Sequence, residues 1–154
     1  MTRSSQAPQS PRNAAMNLLA RREHSLSELQ RKLARRFDRE ELDAALQKLA
    51  DENLQSDERF AQSFTRERML RGVGPLRIES ELRQRGVRSS YIDHAIAFVP
   101  TEEGLTWRGV AKDVLERKFG CEPPADLAEK ARRLRFLGYR GFGEEAAGLV
   151  PDLA

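Results

Sequence analysis

Apolar residues recur in this chain with a period of about 50 residues, and this repetition limits the folds open to it. Three sets of positions share the period: Leu33, Leu82 and Leu134; Phe37, Val87 and Tyr139; and Leu46, Ile96 and Val150. The first two sets are spaced 49 to 52 residues apart, and a glycine-rich insertion precedes Val150. The pattern predicts a three-helix unit of about 50 residues that is used three times.

Helical periodicity continues through almost the whole chain. Apolar residues fall at i, i+3 and i+4 in successive segments, and no stretch alternates apolar and polar residues as a strand does. Gly86 and Gly138 are predicted C-terminal caps, and Pro100 and Pro123-Pro124 are predicted to end the helices before them. The result is nine predicted helices, near 13–23, 26–36, 39–52, 56–71, 75–85, 89–99, 102–119, 125–137 and 142–150.

The units implied by these helices are thin. Charged residues make up 33% of the 154 residues, the apolar set only 39%, and mean hydropathy is -0.66. Because each unit buries little by itself, neighbouring units must share surface, and an elongated, curved array is expected. We predict an all-α fold with a disordered N-terminal arm over 1–12 and three-helix repeats over 13–55, 56–100 and 101–154.

Several classes of function lack their sequence signatures. No apolar run is long enough to span a membrane, and the N-terminus lacks the apolar region of a secretory signal, so a cytoplasmic protein is expected. Cys121 is the sole cysteine, and His24 and His94, the two histidines, lie far apart. No phosphate-binding loop motif occurs either. We therefore expect no metal, no cofactor and no catalytic site.

Positive charge is the informative property. Of 27 basic residues five are lysines, which leaves 22 arginines. The net charge of +3 divides into +4 over 21–39, +5 over 59–88, +5 over 130–140 and −11 elsewhere. A basic stripe that recurs in each repeat could neutralise phosphates or face an acidic protein. The alternative is a solvated face with i,i+4 ion pairs such as Arg77 with Glu81.

Aromatic residues weaken the nucleic-acid interpretation. Phe60 and Phe64 share an apolar helix face and are predicted core residues, and Trp107 is predicted to pack as well. Tyr91 and Tyr139 are candidates for exposure. Single-strand binding usually interleaves several aromatic residues with basic ones, so base stacking is not the favoured role.

One segment closely resembles the central part of the RecX family of bacterial RecA regulators. It runs from Asp57 to Val87 and contains Asp-x-x-Phe-Ala-x-x-Phe, a basic residue ahead of Gly74-Pro75, Arg77-Ile-x-x-x-Leu82 and a basic-Gly-Val ending. Ala15-Met-Asn-Leu-Leu-Ala-Arg-Arg-Glu-His-Ser25 is similar to the family's start. The likeness covers about residues 13–150 and is loosest after Pro100.

The resemblance implies a fold of tandem three-helix repeats and a non-enzymatic protein that binds RecA in the groove of the RecA–DNA filament. Such a protein would restrain filament growth, recombination, ATP hydrolysis and coprotease activity. Weak contact with single- or double-stranded DNA and a monomeric state are expected; a helical-repeat protein that competes directly for DNA is the alternative. Phe60, Phe64, Ile78, Leu82, Gly74, Pro75 and Gly86 are assigned to the fold. The candidate contact residues are Arg66, Arg68, Arg71, Arg77, Arg83, Arg85, Arg88, Arg132, Arg133 and Arg135.

Overall fold

The computed structural model describes residues 9–153, and within that range the chain forms nine helices and no strand. The helices are α1 Pro11–Leu19, α2 Leu26–Leu33, α3 Arg39–Asp51, α4 Asp57–Leu70, α5 Pro75–Gln84, α6 Ser89–Glu103, α7 Trp107–Phe119, α8 Leu127–Arg140 and α9 Glu144–Ala147. Helices α1–α3, α4–α6 and α7–α9 form units one, two and three. The predicted all-α fold of three tandem three-helix repeats is confirmed.

Each unit has an apolar core of its own. In unit one the buried residues come from α1, α2 and α3, with Leu29 and Leu49 fully enclosed. In unit two α4 packs chiefly against α6, and α5 contacts both, around Phe60, Ile78 and Leu82. In unit three Val110, Leu115 and Leu137 are joined by Phe142, Ala146 and Val150. Most of the predicted apolar positions therefore lie in or against three small cores, but Tyr139, the predicted equivalent of Phe37 and Val87, is 81% exposed.

Polar caps set where several helices start. Ser25 forms a capping box at α2, in which its hydroxyl accepts from the Glu28 amide and the Glu28 carboxylate accepts from the Ser25 amide. The hydroxyl of Ser56 accepts from the Arg59 amide at the start of α4. Such contacts satisfy amides that the first helical turn leaves without partners.

The N-terminal boundary differs from the prediction. Helix α1 begins at Pro11, because the Ser10 hydroxyl caps it and proline at the first position needs no amide partner. Arg12 also pairs with Glu52 at 2.6 Å. The predicted arm over 1–12 is therefore wrong at its C-terminal end, and its residues 1–8 lie outside the described residues.

Pro100 does not end α6, contrary to the prediction. The helix continues through it to Glu103 and ends at Gly104, whose φ is +68°. Proline removes the amide that would bond to the carbonyl of Ile96. The indole Nε1 of Trp107 donates to that carbonyl instead, at 3.0 Å, so the helix loses no buried partner there.

The predicted ends of the last helices also differ. Gly138 lies inside α8, and Gly141 (φ +97°) follows its last residue. Helix α7 ends at Phe119, as predicted, but begins at Trp107 rather than at 102. The final helix is short, Glu144–Ala147 rather than 142–150, although Ala146 and Val150 are buried as expected.

Within residues 9–153, no helix combines the length and the apolar character that crossing a membrane would require.

Candidate partner-binding surface

Three of the predicted contact arginines converge on one residue of unit two, two of them on its carboxylate and one on its backbone carbonyl. The Nε atoms of Arg68 and Arg77 donate to the two oxygens of Glu81, at 3.0 and 3.3 Å. Arg85 donates through Nη1 to the backbone carbonyl of Glu81, at 3.0 Å. Arg68 lies on α4 and the other three residues on or just after α5, so the packing of these two helices assembles the group. We call Arg68, Arg77, Arg85 and Glu81 the arginine cluster.

Phe64 supports this cluster from below. The guanidinium carbons of Arg68 and Arg85 lie 4.6 and 4.7 Å from its ring centroid, within the range of cation–π attraction. Phe60 stands 5.7 Å from Phe64, and the two residues are only 2% and 9% exposed. Their predicted core role is confirmed. The rings are not open to stack on bases, because core residues and arginines cover them.

A groove connects the cluster with unit one. Arg68, Arg85 and the edge of Phe64 line it on one side, and Arg22, Glu23 and Glu28 line it on the other. Arg22 pairs with Glu28 at 3.0 Å. Both acidic and basic side chains therefore line this groove, which is not uniformly positive.

On its other side the cluster reaches unit three. The guanidinium of Arg77 lies 5.8 Å from the ring centroid of Tyr139, which is 81% exposed. The neighbouring Leu76 is 56% exposed, although its amide donates to the Gly141 carbonyl at 3.0 Å. Tyr139 was a candidate for exposure from sequence, but its place beside Arg77 depends on a contact between units that no local pattern indicates.

Other predicted arginines form ion pairs within unit two. Arg66 contacts Glu102 at 3.1 Å and Glu103 at 2.7 Å. Two exposed i,i+4 pairs resemble the solvated alternative: Arg71 with Glu67 at 3.1 Å, and Arg83 with Glu79. Such pairs contribute little to stability and leave the arginine free to exchange partners. Arg88 is also exposed, stacks on Tyr91 at 4.0 Å and bonds to its hydroxyl.

The prediction that Arg133 contacts a partner is wrong. Its side chain is 3% exposed and pairs with Glu129 at 2.7 Å. It also donates to the carbonyl of Glu122 at 2.8 Å and lies 5.4 Å from the Phe119 ring. Arg133 therefore anchors the segment between α7 and α8. Arg132 and Arg135, on the other faces of α8, are exposed as a contact residue must be.

The junction between units one and two is built from polar groups. Ser25 donates to the Arg85 carbonyl at 2.8 Å, and Asp57 accepts from the Leu26 amide at 3.0 Å. Buried Gln55 donates to the His24 carbonyl at 3.1 Å and to Asp57 at 2.9 Å. These bonds orient Arg85 and therefore the groove wall. Gln55 was not among the predicted functional residues, since an isolated glutamine carries no pattern.

His24 lies buried at the same junction. Its Nδ1 is 3.0 Å from the Arg22 carbonyl and its Nε2 is 3.1 Å from the Lys32 ammonium. Burial lowers the pKa of His24 below 6.5, and the charges of Arg22 and Lys32 lower it further. The Arg22 carbonyl and the Glu28 carboxylate act in the opposite direction without reversing the shift. The geometry fits a neutral imidazole that accepts a hydrogen bond from Lys32.

Among the described side chains of residues 9–153, a set that leaves out Glu145, no three His, Cys, Asp or Glu gather in a group that could hold a metal ion. The surface around the arginine cluster offers charge-assisted hydrogen bonds and apolar contact, which suit recognition of an anionic macromolecule.

Comparison with family models identifies the repeats directly. The models of the first, second and third three-helix domains of RecX match residues 12–49, 56–96 and 110–147. The three matches follow the chain in order and cover most of its length.

Curated relatives agree over nearly the whole chain. The chain is 46% identical over 132 residues to the regulatory protein RecX of Pseudomonas fluorescens, covering 85% of this chain and 83% of that one. It is 44% identical over 143 residues to the regulatory protein RecX of Halorhodospira halophila, covering 92% and 86%.

Solved structures show the same fold at lower identity. A crystal structure of regulatory protein RecX aligns with a TM-score of 0.74 at 23% identity, over 91% of this chain and 70% of that one. Crystalline RecX from Lactobacillus salivarius aligns with a TM-score of 0.68 at 20% identity, over 91% of each chain. From the three domain matches and the high identity to curated relatives, this chain belongs to the RecX family of regulatory proteins.

Proposed function

We propose that this protein binds RecA and the RecA–DNA filament. It inhibits filament extension and, with it, the recombinase, ATPase and coprotease activities of RecA. It thereby modulates homologous recombination and the SOS response. In this proposal it acts in the cytoplasm, as a monomer and without a catalytic site or cofactor, through three repeats made of α1–α3, α4–α6 and α7–α9.

The observation that carries the proposal is the arginine cluster in a chain of this family. The cluster lies between the groove next to unit one and the Arg77–Tyr139 contact with unit three. A ligand bound there would touch all three units. Such a continuous surface suits a long partner better than a small molecule.

The experiment is a titration of RecA's DNA-dependent ATP hydrolysis with this protein. Inhibition is expected at amounts far below those that could cover the DNA, because a protein that enters or caps a filament affects many RecA subunits. Inhibition that appears only when the DNA could be fully coated would contradict the proposal.

Direct competition for DNA is the second candidate, and the exposed Arg132 and Arg135 on α8 favour it. Neutralising phosphates releases counterions, so this mechanism predicts affinity for naked DNA that falls steeply with salt. Electrophoretic mobility shifts with DNA alone, from 50 to 200 mM salt, separate the candidates. Under the leading proposal, the protein inhibits RecA at salt concentrations where it no longer binds naked DNA.

A further inference from the structure

Glu81 stands where three positive charges meet, on a surface whose proposed partner is anionic. A carboxylate here lowers the attraction for an anion if charge alone matters. Yet Glu81 contacts Arg68, Arg77 and Arg85 at once and is itself only 20% exposed. Its position suggests that it orders the arginines more than it neutralises them.

The donor atoms in use support this role. Arg68 and Arg77 engage Glu81 through Nε, and within residues 9–153 their terminal Nη groups make no hydrogen bond. Those two-pronged ends are the part of arginine that grips a carboxylate or phosphate bidentately. Phe64 holds the planes of Arg68 and Arg85 from below. The chain thereby restrains side chains that would otherwise lose rotamer entropy on binding.

The surroundings distinguish a protein ligand from a nucleic acid. Tyr139 and Leu76 expose 81% and 56% of their surface next to Arg77, and exposed tyrosine beside arginine is typical of protein interfaces. Glu23, Glu28 and Glu67 line the adjoining groove and would repel a continuous phosphate backbone. A single carboxylate on a protein surface can contact Arg77 without lying along these glutamates, and an apolar side chain beside it can contact Tyr139 and Leu76.

We infer that Glu81 is a positioning residue whose carboxylate preorganises Arg68 and Arg77, beside the Phe64-stacked Arg85, to receive a carboxylate of an acidic protein surface, with Tyr139 and Leu76 as the apolar contact. The inference rests on the proposed function and names the partner chemistry of the same surface. It predicts the opposite of simple charge attraction: removing a negative charge from this basic surface should weaken the binding of an anionic partner.

Glu81→Gln provides the test, and Glu79→Gln is its matched control. Both residues lie on α5 and both changes raise the net charge by one, but among the described residues Glu79 forms an ion pair with the exposed Arg83 alone. Binding to RecA filaments on single-stranded DNA is measured by biolayer interferometry, with folding checked by circular dichroism and thermal melting. Glu81→Gln is expected to weaken binding five- to tenfold, mainly through faster dissociation, while Glu79→Gln binds at least as tightly as wild type. Equal or tighter binding by a folded Glu81→Gln overturns the inference.

The same variants on naked single-stranded DNA identify the ligand class. Both should bind DNA at least as well as wild type, because each lacks one repelling charge. A five- to tenfold loss of DNA affinity confined to Glu81→Gln would mean that the cluster receives phosphate, and the assignment to protein would be wrong.

A third measurement keeps the inference separate from the RecA proposal. Arginine Nε–Hε NMR signals are followed during titration with hexaglutamate. The Arg68 and Arg77 signals should shift in wild type and Glu79→Gln, and Glu81→Gln should need at least five times more peptide. Absence of these shifts in wild type overturns the inference whatever the filament result. Normal shifts without filament binding would contradict only the proposed function.

Discussion

The two junctions between units are built from different chemistry. Unit one meets unit two through hydrogen bonds of Ser25, Gln55 and Asp57, and the buried core of unit one contains residues of unit one only. Unit two meets unit three through apolar contact, since Met69 and Val99 of unit two belong to the core of unit three. Trp107 packs against both cores.

Backbone contact adds to this second junction. The Gly74 amide donates to the Arg140 carbonyl at 2.7 Å, and a Cβ on Gly74 would stand 2.4 Å from the Gly141 carbonyl oxygen. Hydrogen bonds at the first junction set an orientation but contribute modestly to stability, whereas shared apolar burial contributes more. We therefore expect units two and three to unfold together and unit one to separate first.

The largest expected effect is at the apolar junction. Met69→Ala removes a side chain that is 1% exposed and leaves a cavity, which should lower the free energy of unfolding by about 3 kcal/mol. Urea unfolding monitored by Trp107 fluorescence measures it. Leu70→Ala is the control, because Leu70 follows directly on α4 but is 61% exposed and should cost within about 0.5 kcal/mol. A loss for Met69→Ala as small as that expected for Leu70→Ala would mean that the third core does not depend on unit two.

The next largest effect is expected at the close contact between Gly141 and Arg77. Gly141→Ala should cost about 2 kcal/mol or more, because φ is +97° and the new Cβ would lie 2.4 Å from the Cβ of Arg77. Gly138→Ala is the control: it lies in α8 with nothing within 4 Å, so alanine should stabilise the helix by about 0.5–1 kcal/mol. Thermal melting compares them. Equal melting temperatures would contradict the close approach of units two and three.

At the polar junction the expected effect is smaller and local. Gln55→Ala removes the donor to the His24 carbonyl and to Asp57, at a cost of about 1–2 kcal/mol. Hydrogen exchange should rise in unit one and hardly change in units two and three. Gln47→Ala, which removes only an exposed bond to Asp51, should leave the exchange pattern unchanged. Uniformly faster exchange after Gln55→Ala would show that the three units form one cooperative block.

The smallest expected effect is a dependence of the free energy of unfolding on pH, caused by His24 at the same junction. Folding lowers the pKa of His24, so below pH 6.5 the unfolded chain binds more protons than the folded one. The free energy of unfolding should therefore fall as the pH drops through 6.5, by less than about 1.4 kcal/mol per pH unit. Urea titrations from pH 7.5 to 5.5 measure this, with His24→Gln as the comparison. An unchanged slope in His24→Gln would assign the pH dependence to other groups.

The candidate surface was only partly predictable. Arg68, Arg77 and Arg85 were identified by charge recurrence and family resemblance, because basic residues cluster visibly in the sequence. Arg133 was identified by the same reasoning and is buried: Glu129 pairs with it from one turn earlier on α8, and the segment between α7 and α8 brings the Glu122 carbonyl to it. Charge density does not reveal which side of a helix faces a neighbouring element.

Helix ends were also only partly predictable from the sequence. Ser25 with Glu28 three residues later predicted the start of α2, because a capping box is closed by neighbouring residues. Pro100 predicted an end that does not occur, because its missing hydrogen bond is replaced by Trp107, eleven residues from the carbonyl it reaches. The sequence therefore predicts a helix end when neighbouring residues form the bonds that close it, and fails when a distant residue forms them.

The sequence by itself determined the all-helical class, the threefold repeat and the recurrence of basic charge, because periodicity, caps and composition act over a few residues or a simple spacing. Only the tertiary structure decided that Arg68 of α4 joins the Arg77–Glu81 pair of α5, that Tyr139 lies beside Arg77, and that one junction is polar and the other apolar. The physical reason is that these contacts join residues on different helices. Their energies depend on the relative placement of those helices, which the packing of the units sets.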